Sequence, residues 1–575
     1  MKGTSWGVLL LYFLSVLFST REFAPVFVQG SSVWALASVS FTLSVFLLLV
    51  EISLYGVAAR RGWIESLEAV APSFLPAILL LLGWKWLPLQ GLPPHDFPLR
   101  KAEIATGVVW VAHLFWVASI LVRGSVQKGK RSPAWAFGLA GLVLFGGITL
   151  HTLRCDMSGD EPHYLLMTHS LWRDGDLDLS NNYASGDANA FYGRGALEPQ
   201  GNEHRLQDGR IYSHHSLGAP LLFYLGYVLA GRLGAAMTVS ACAALCLAWT
   251  LAALSLMRFE RQTVIWVGWV GLFASPLLLY SGLLLAEIPS ALVLAGILWA
   301  AARKRWVWIG LGLGLLPWMH NRNILLIPPI LVALAMAGKI GKVSPKTVRG
   351  FALAFFAPLL LLAIYFMGVY GVWSPLGAHH ESFESLFLIE RFPINVCGLF
   401  LDQEAGLWFY FPVFIFLPAG MILGWKRRGF LFKAAVSTTI FYFFTMCFYQ
   451  NLGLTPPARY WVSLTPLLLL LIAPAVQRLG RKRMAWKRTA GIFYATGVLL
   501  AYGFAVVPWM RYSKLQGEAW VLCIARKFTG LPWPLWEPSF HSQPVEMRSY
   551  LLSMLGFAVV AGLTALFLKI GRQKL

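Results

Sequence analysis

The stretch SGDEPHYLLMTHSLW places two carboxylates side by side, Asp160 and Glu161, ahead of a proline that can open a short helix. A carboxylate held near an acceptor hydroxyl can serve as a general base. The same residues could equally be ordinary loop charge. Their surroundings favour chemistry. Residues 153–215 hold ten of the chain's 26 acidic residues: Asp156, Asp160, Glu161, Asp174, Asp176, Asp178, Asp187, Glu198, Glu203 and Asp208. Five of its 12 histidines lie there too: His163, His169, His204, His214 and His215. Concentrated polarity in an otherwise apolar chain marks a working segment.

Other ionisable groups stand alone in apolar surroundings. Glu287 interrupts YSGLLLAEIPSALVLAG, where it either works or pairs with a basic residue such as Arg322. Arg322 lies in PWMHNRNILLIPP with His320 beside it. Arg459 stands among prolines in LGLTPPARYWVSLTP. A guanidinium offers a planar fork suited to phosphate, and it could also anchor a helix end at lipid headgroups. The pairs His214/His215 and His379/His380 are sequence neighbours. Helix neighbours do not face each other, so either pair is a weak metal site and a better source of hydrogen bonds to a ligand. Asp174, Asp176 and Asp178 alternate, a spacing able to ligate a divalent cation, but without the glycine and final glutamate of a calcium loop. A solvated turn is the expectation there. Six cysteines form no CxxC pair and no metal spacing. Cys242, Cys246 and Cys447 fall in apolar runs, whereas Cys155, Cys397 and Cys523 sit where a disulfide could form.

The elements carrying these residues follow from composition. The chain has 575 residues, 57% hydrophobic and 13% charged, with mean hydropathy +0.63. Soluble chains carry roughly 25% charged residues. Apolar runs long enough to cross about 30 Å of hydrocarbon recur along its length. They predict an all-α polytopic membrane protein, since only helices and closed barrels satisfy backbone groups in lipid and such long runs exclude a barrel. The net charge of +21 does not point to nucleic acid. The basic residues form short clusters between apolar runs, with no basic stripe carrying interleaved aromatics.

Expected spans cover residues 5–20, 33–56, 69–87, 103–122 and 133–152, then 235–257, 263–283, 286–302, 306–318 and 323–338. The remainder cover 350–370, 406–425, 431–449, 462–477, 489–508 and 550–570, about sixteen in all. The first run lacks a small-residue cleavage site before Arg21, so an uncleaved span is expected. Basic clusters at 60–61, 123–131, 302–305, 339–349, 425–429, 478–488 and 569–574 read as cytoplasmic. Both termini are then cytoplasmic and residues 153–215 lie outside. Residues 216–231 are apolar, but letting them span would put the cluster 257–261 on the wrong side. They read instead as a helix lying on the outer surface.

The order and sidedness of these segments resemble membrane glycosyltransferases of the type C fold. Within that class the chain is similar to the family of dolichyl-phosphate-mannose protein mannosyltransferases and bacterial aminoarabinose transferases. The resemblance rests on SGDEPHYLLMTHSLW, YSHHSLGAPLLFYLGYVLAG, YSGLLLAEIPSALVLAG, PWMHNRNILLIPP, GVWSPLGAHHES, LFLDQEAGLWFYFPV and the G-x-x-P-x-x-R-Y pattern of Gly453, Pro456, Arg459 and Tyr460. It covers about residues 134–510, and no single motif is highly specific. It implies inverting transfer of a sugar from a polyprenyl-phosphate donor to a lipid, glycan or protein acceptor at the outer face, in a bacterial cytoplasmic (inner) membrane. Asp160 would be the base, with Glu161 or Glu287 orienting the acceptor. Arg459 and Arg322 would hold the phosphate, with Tyr460, His320, His163, His215 and His379 lining the cleft. No cofactor is required by that scheme, although a divalent cation could take part. The chain departs from the pattern in one respect: the Asp-Glu loop follows the fifth span rather than the first. Residues 1–133 then form an added four-helix module of open role, 134–510 the core, and 511–575 an outer loop and final helix. A transporter or flippase remains the alternative, though no internal repeat is visible and the charges sit at span edges. A polysaccharide ligase or polymerase is a second.

Overall fold

The computed structural model describes residues 101–127, 133–153, 155–193, 195–200, 204–205, 208–341, 343–373, 387–449, 456–480, 482, 484–511, 519–532 and 547–569. The first three expected spans and His379 fall outside them.

The described chain is helical. The elements are α1 (Lys101–Gln127), α2 (Pro133–Thr152), α3 (Glu161–Arg173), α4 (Ser180–Ser185), α5 (Gly218–Leu256), α6 (Arg261–Phe273), α7 (Pro276–Tyr280), α8 (Glu287–Ala302), α9 (Trp306–Met319), α10 (Ile327–Gly341) and α11 (Pro345–Tyr370). There follow α12 (Phe392–Leu401), α13 (Leu407–Tyr410), α14 (Leu417–Arg427), α15 (Phe430–Cys447), α16 (Arg459–Val462), α17 (Thr465–Leu479), α18 (Met484–Val506), α19 (Trp520–Thr529) and α20 (Met547–Lys569). A two-residue antiparallel ribbon pairs His204 with Tyr212 and Arg205 with Ile211.

Among the described residues, seven stretches are long and apolar enough to cross a membrane by length and composition: α2, α5, residues 261–280, α11, α15, α18 and α20. Five shorter apolar helices accompany them: residues 110–124, α8, α9, residues 321–337 and α17. This is consistent with an all-α membrane protein. The expected span at 406–425 is broken instead. It divides into α13, a 3-10 turn at Pro412–Phe416 and α14. Pro412 and Pro418 explain the breaks, because each removes a backbone donor and clashes with a preceding turn.

Four helices, α2, α5, α8 and α17, carry much of the buried packing. Helix α5 packs along α2 and α8, and α17 is buried over most of its length. Helix α1, from the interval expected to be a separate module, packs on α2 and α18. Trp110 donates to Gly147 O at 2.9 Å, and Tyr502 donates to Val108 O at 2.6 Å.

Residues 216–231 behave as a separate helix. The run 218–256 bends where Ala230 (φ −151°, ψ 30°) and Gly231 (φ 54°, ψ −140°) leave helical geometry. Its first half buries Phe223 and Tyr227, while Leu221, Tyr224, Leu225, Val228 and Leu229 are exposed. That i, i+3, i+4, i+7, i+8 stripe is the open apolar face expected of a helix on a lipid surface. Two glycines permit the fold-back. A Cβ built on Gly234 would lie 1.8 Å from Gly226 O. Gly234→Leu should therefore destabilise the chain by at least about 1–3 kcal/mol, read as a lower thermal midpoint in detergent. Gly562→Leu, inside α20 and with nothing within 4 Å of its built Cβ, should not lower the midpoint. Equal midpoints for both variants would contradict the tight bend.

Candidate functional site

Four ionisable residues singled out in sequence meet at one place. Arg459 donates through Nη2 to Asp160 Oδ2 at 2.6 Å and through Nε to Glu287 Oε1 at 2.7 Å. Arg322 Nη2 donates to the same Glu287 oxygen at 2.7 Å. Two carboxylates and two guanidiniums thus form a chain of ion pairs that is neutral overall.

Each member is placed by a helix end. Asp160 is the N-cap of α3, but its side chain makes no capping bond and turns to Arg459 instead. The positive φ of Gly159 (60°) turns the chain into this position, which glycine adopts without steric cost. Glu287 is the first residue of α8, where the helix dipole favours a negative charge. Arg322 lies in the 3-10 turn Asn321–Leu326 that leads into α10. Arg459 opens α16, and the preceding Ala458 holds a left-handed conformation (φ 58°, ψ 26°).

Exposure divides the cluster. The Asp160 side chain is 26% exposed and that of Arg459 15%, whereas Glu287 is sealed at 0%. Asp160 and Arg459 can therefore meet a ligand, while Glu287 fixes both arginines from beneath. Burial raises the Asp160 pKa, but the Arg459 guanidinium outweighs this and holds the carboxyl far below the usual range, with smaller contributions from His215 and His214. In this arrangement Asp160 is ionised and engaged.

Glu161 sits apart from this cluster. It is buried, and its Oε1 accepts from Leu284 N at 2.9 Å, with Oε2 accepting from Ser158 N at 3.4 Å. It joins the start of α3 to the loop before α8, and so sets Asp160 relative to Glu287. Tyr460 is also buried, with its ring beneath the Arg322 guanidinium, 5.1 Å from centroid to Cζ. His320 Nδ1 accepts from Arg322 N at 3.3 Å. His163 Nδ1 bonds Tyr183 Oη at 2.9 Å. His215 stacks on Tyr164 with centroids 4.5 Å apart, and 4.1 Å from the His214 ring.

Several supporting residues escaped the sequence reading. Ser216 Oγ donates to Asn321 Oδ1 at 3.0 Å and accepts from Asn321 N at 3.0 Å. This joins the His214–His215 turn to the Arg322 turn. Asn323 Nδ2 donates to Ser290 Oγ at 2.7 Å and to Leu316 O at 3.1 Å, locking the same turn to α8 and α9. Tyr370, at the end of α11, donates to Ser213 O at 2.6 Å. The available signal was the polar run HNRN between apolar segments.

The aspartate triplet is structural. Asp174 Oδ2 accepts from Asn181 and Asn182 Nδ2, at 3.2 and 2.7 Å. Asp176 Oδ1 accepts from Ser170 Oγ and Asp178 N, both at 3.1 Å. Asp178 Oδ1 accepts from Ser180 N and Ile211 N, both at 3.0 Å. Among the described residues no group of three or more His, Cys, Asp or Glu side chains could hold a metal ion. Cys242, Cys246, Cys397 and Cys447 are in no disulfide.

Comparison with family models, curated proteins and solved structures finds no match.

His215 supports a pH prediction. Burial and the neighbouring His214 depress its imidazole well below the usual 6.5, although Asp160 acts the other way. A depressed histidine is neutral when folded but takes a proton when unfolded as pH drops below about 6.5. Its contribution to stability is therefore full above that pH and falls as pH is lowered towards the folded value. The thermal midpoint should drop between pH 7 and pH 5, and drop less in His215→Phe. Identical slopes in the two proteins would contradict a neutral buried imidazole.

Proposed function

We propose that the chain transfers a sugar, with inversion, from a polyprenyl-phosphate carrier to an acceptor at the outer face of a bacterial cytoplasmic membrane. The observation that carries this reading is the Asp160–Arg459–Glu287–Arg322 cluster. It supplies a candidate base and a candidate phosphate fork on one hydrogen bond. It lies next to the acidic loop, in a chain rich in apolar helices. The motif resemblance supports the same chemistry, with the sugar and acceptor left open.

In the proposed reaction the acceptor O–H or N–H gives its proton to Asp160. The acceptor atom attacks the anomeric carbon, and the carbon–oxygen bond to phosphate breaks with its electron pair passing to the phosphate oxygen. The departing phosphate gains a second negative charge as Asp160 loses its own. Arg459 then has less negative charge at Asp160 and more at the phosphate, so its fork can turn from one to the other. A donor that binds better as charge builds accelerates the step. Glu287 keeps both guanidiniums oriented throughout. An apolar cavity of about 440 Å³ is lined by residues of α8, α10, α15 and α17 such as Leu294, Ile330, Ala435 and Leu467, and it extends to Lys304 and Val343 beyond the far ends of α8 and α10.

A transporter reading would need the cluster to cycle without chemistry, and a ligase or polymerase would not need the base. Both readings part from transfer at Asp160. Asp160→Asn keeps the shape and should lower transfer from a polyprenyl-phosphate sugar by about two to four orders of magnitude, with insertion intact. Arg459→Lys keeps charge without the fork and should be impaired, Arg459→Ala more so. Wild-type transfer by Asp160→Asn would remove Asp160 as the base. Unchanged donor binding and transfer in Arg459→Ala would remove the phosphate role.

A further inference from the structure

We propose that Asp402 is a positioning residue for Arg459, acting through two backbone turns; its catalytic consequence rests on the transferase reading above. Arg459 must reach two carboxylates from one backbone position, so the direction in which its Cα–Cβ bond leaves the chain is critical. That direction is set at Ala458, which is buried and held in the left-handed region at φ 58°. An alanine there is strained, and surrounding contacts must impose the conformation.

Two contacts do so. Ala458 N donates to Ala405 O at 3.1 Å. Tyr280 Oη donates to Pro456 O at 2.6 Å, fixing the other side of the same turn. Pro456 and Pro457 carry no N–H, so Ala458 has the first backbone donor in this turn.

The acceptor, Ala405 O, is itself presented by a turn that Asp402 closes. Asp402 Oδ1 accepts from Glu404 N at 2.7 Å and from Ala405 N at 2.8 Å, while Asp402 O accepts from Gly406 N at 2.8 Å. Asp402 is fully buried. A Cβ built on Gly406 would come within 2.6 Å of Asp402 O, so the turn closes tightly. The next residue, Gln403, accepts through Oε1 from Ala519 N at 3.0 Å and through its carbonyl from Tyr410 Oη at 2.5 Å. The DQEAG segment is thereby fastened on several sides and offers one rigid carbonyl to Ala458. Asp402 need not touch substrate. Its carboxylate fixes Ala405, Ala405 fixes Ala458, and Ala458 aims Arg459.

The experiment uses the full chain in detergent or nanodiscs, with Asp402→Ala and Asp402→Asn, and with Asp402→Glu as a charge-preserving variant that misplaces the acceptor. Hydrogen exchange is followed in the peptide containing Ala458, and kcat and KM are followed with a polyprenyl-phosphate sugar. Asp402→Ala and Asp402→Glu should speed exchange at Ala458 and lower kcat about tenfold to a hundredfold, as expected for a misplaced group. Asp402→Asn, which retains an Oδ1 acceptor, should restore both. In an Arg459→Lys background, Asp402→Ala should cost little further. Unchanged exchange at Ala458 in both Asp402→Ala and Asp402→Glu overturns the proposal, as does a full additional loss in the Arg459→Lys background. If exchange responds as expected but the parent chain transfers no sugar, the positioning role stands and the transferase reading fails.

Discussion

The structure depends on one guanidinium shared between two carboxylates. Arg459 lies 299 residues from Asp160 and 172 from Glu287, and Arg322 reaches that same glutamate from 35 residues away. Glu287 is completely buried. A buried carboxylate without a partner is costly, and removing one member of a buried pair typically costs about 3–5 kcal/mol. The starts of α3 and α8, the turn before α10 and the turn before α16 are therefore required to meet. The apolar packing of α5 against α2 and α8 brings them near, and the ion pairs fix their register.

The same arrangement separates sealed charge from accessible charge. Glu287 is sealed and tied to both arginines. Asp160 and Arg459 stand at the accessible edge, each engaged with the other. In the proposed transfer this pairing links proton removal to phosphate departure, because neutralising Asp160 releases the guanidinium when the leaving group needs it. Neighbouring turns supply precision. Ser216 and Asn321 join the histidine turn to the Arg322 turn, and Glu161 joins α3 to the loop before α8.

Much of this was legible in the sequence, for a specific reason. An ionisable residue in an apolar run stands out because lipid and packed cores tolerate it only when paired or functional. That logic selects Glu287, Arg322 and Arg459 and offers a Glu287–Arg322 pair as one of two readings, whereas Asp160 stands out through its place in the acidic stretch 153–215. It could not show that Arg459 lies between Asp160 and Glu287, since pairing across 299 residues is set by tertiary packing. Charge sidedness leads to a surface helix at 216–231 set apart from a span beginning at 235, and the chain leaves helical geometry at Ala230 and Gly231. The close approach of Gly226 to Gly234 does not follow from sidedness, because glycine has several uses and spacing does not reveal which applies. The segment 406–425 reads as one span because its composition is apolar, and the structure breaks it at Pro412 and Pro418. Asp402 is present in the sequence reading only within LFLDQEAGLWFYFPV. Its carboxylate accepts from the backbone N–H groups of Glu404 and Ala405, and a bond to backbone leaves no partner side chain to read in the sequence.

The central claim is that this cluster receives the phosphate of a lipid-linked sugar donor. The most direct measurement is mass spectrometry of lipid that copurifies with the full chain, compared between the parent and Arg459→Ala. The account predicts polyprenyl phosphate, free or carrying a sugar, enriched over bulk membrane lipid in the parent and depleted in Arg459→Ala. Bulk phospholipid alone in both preparations, with no polyprenyl phosphate captured when it is supplied in excess, would contradict it.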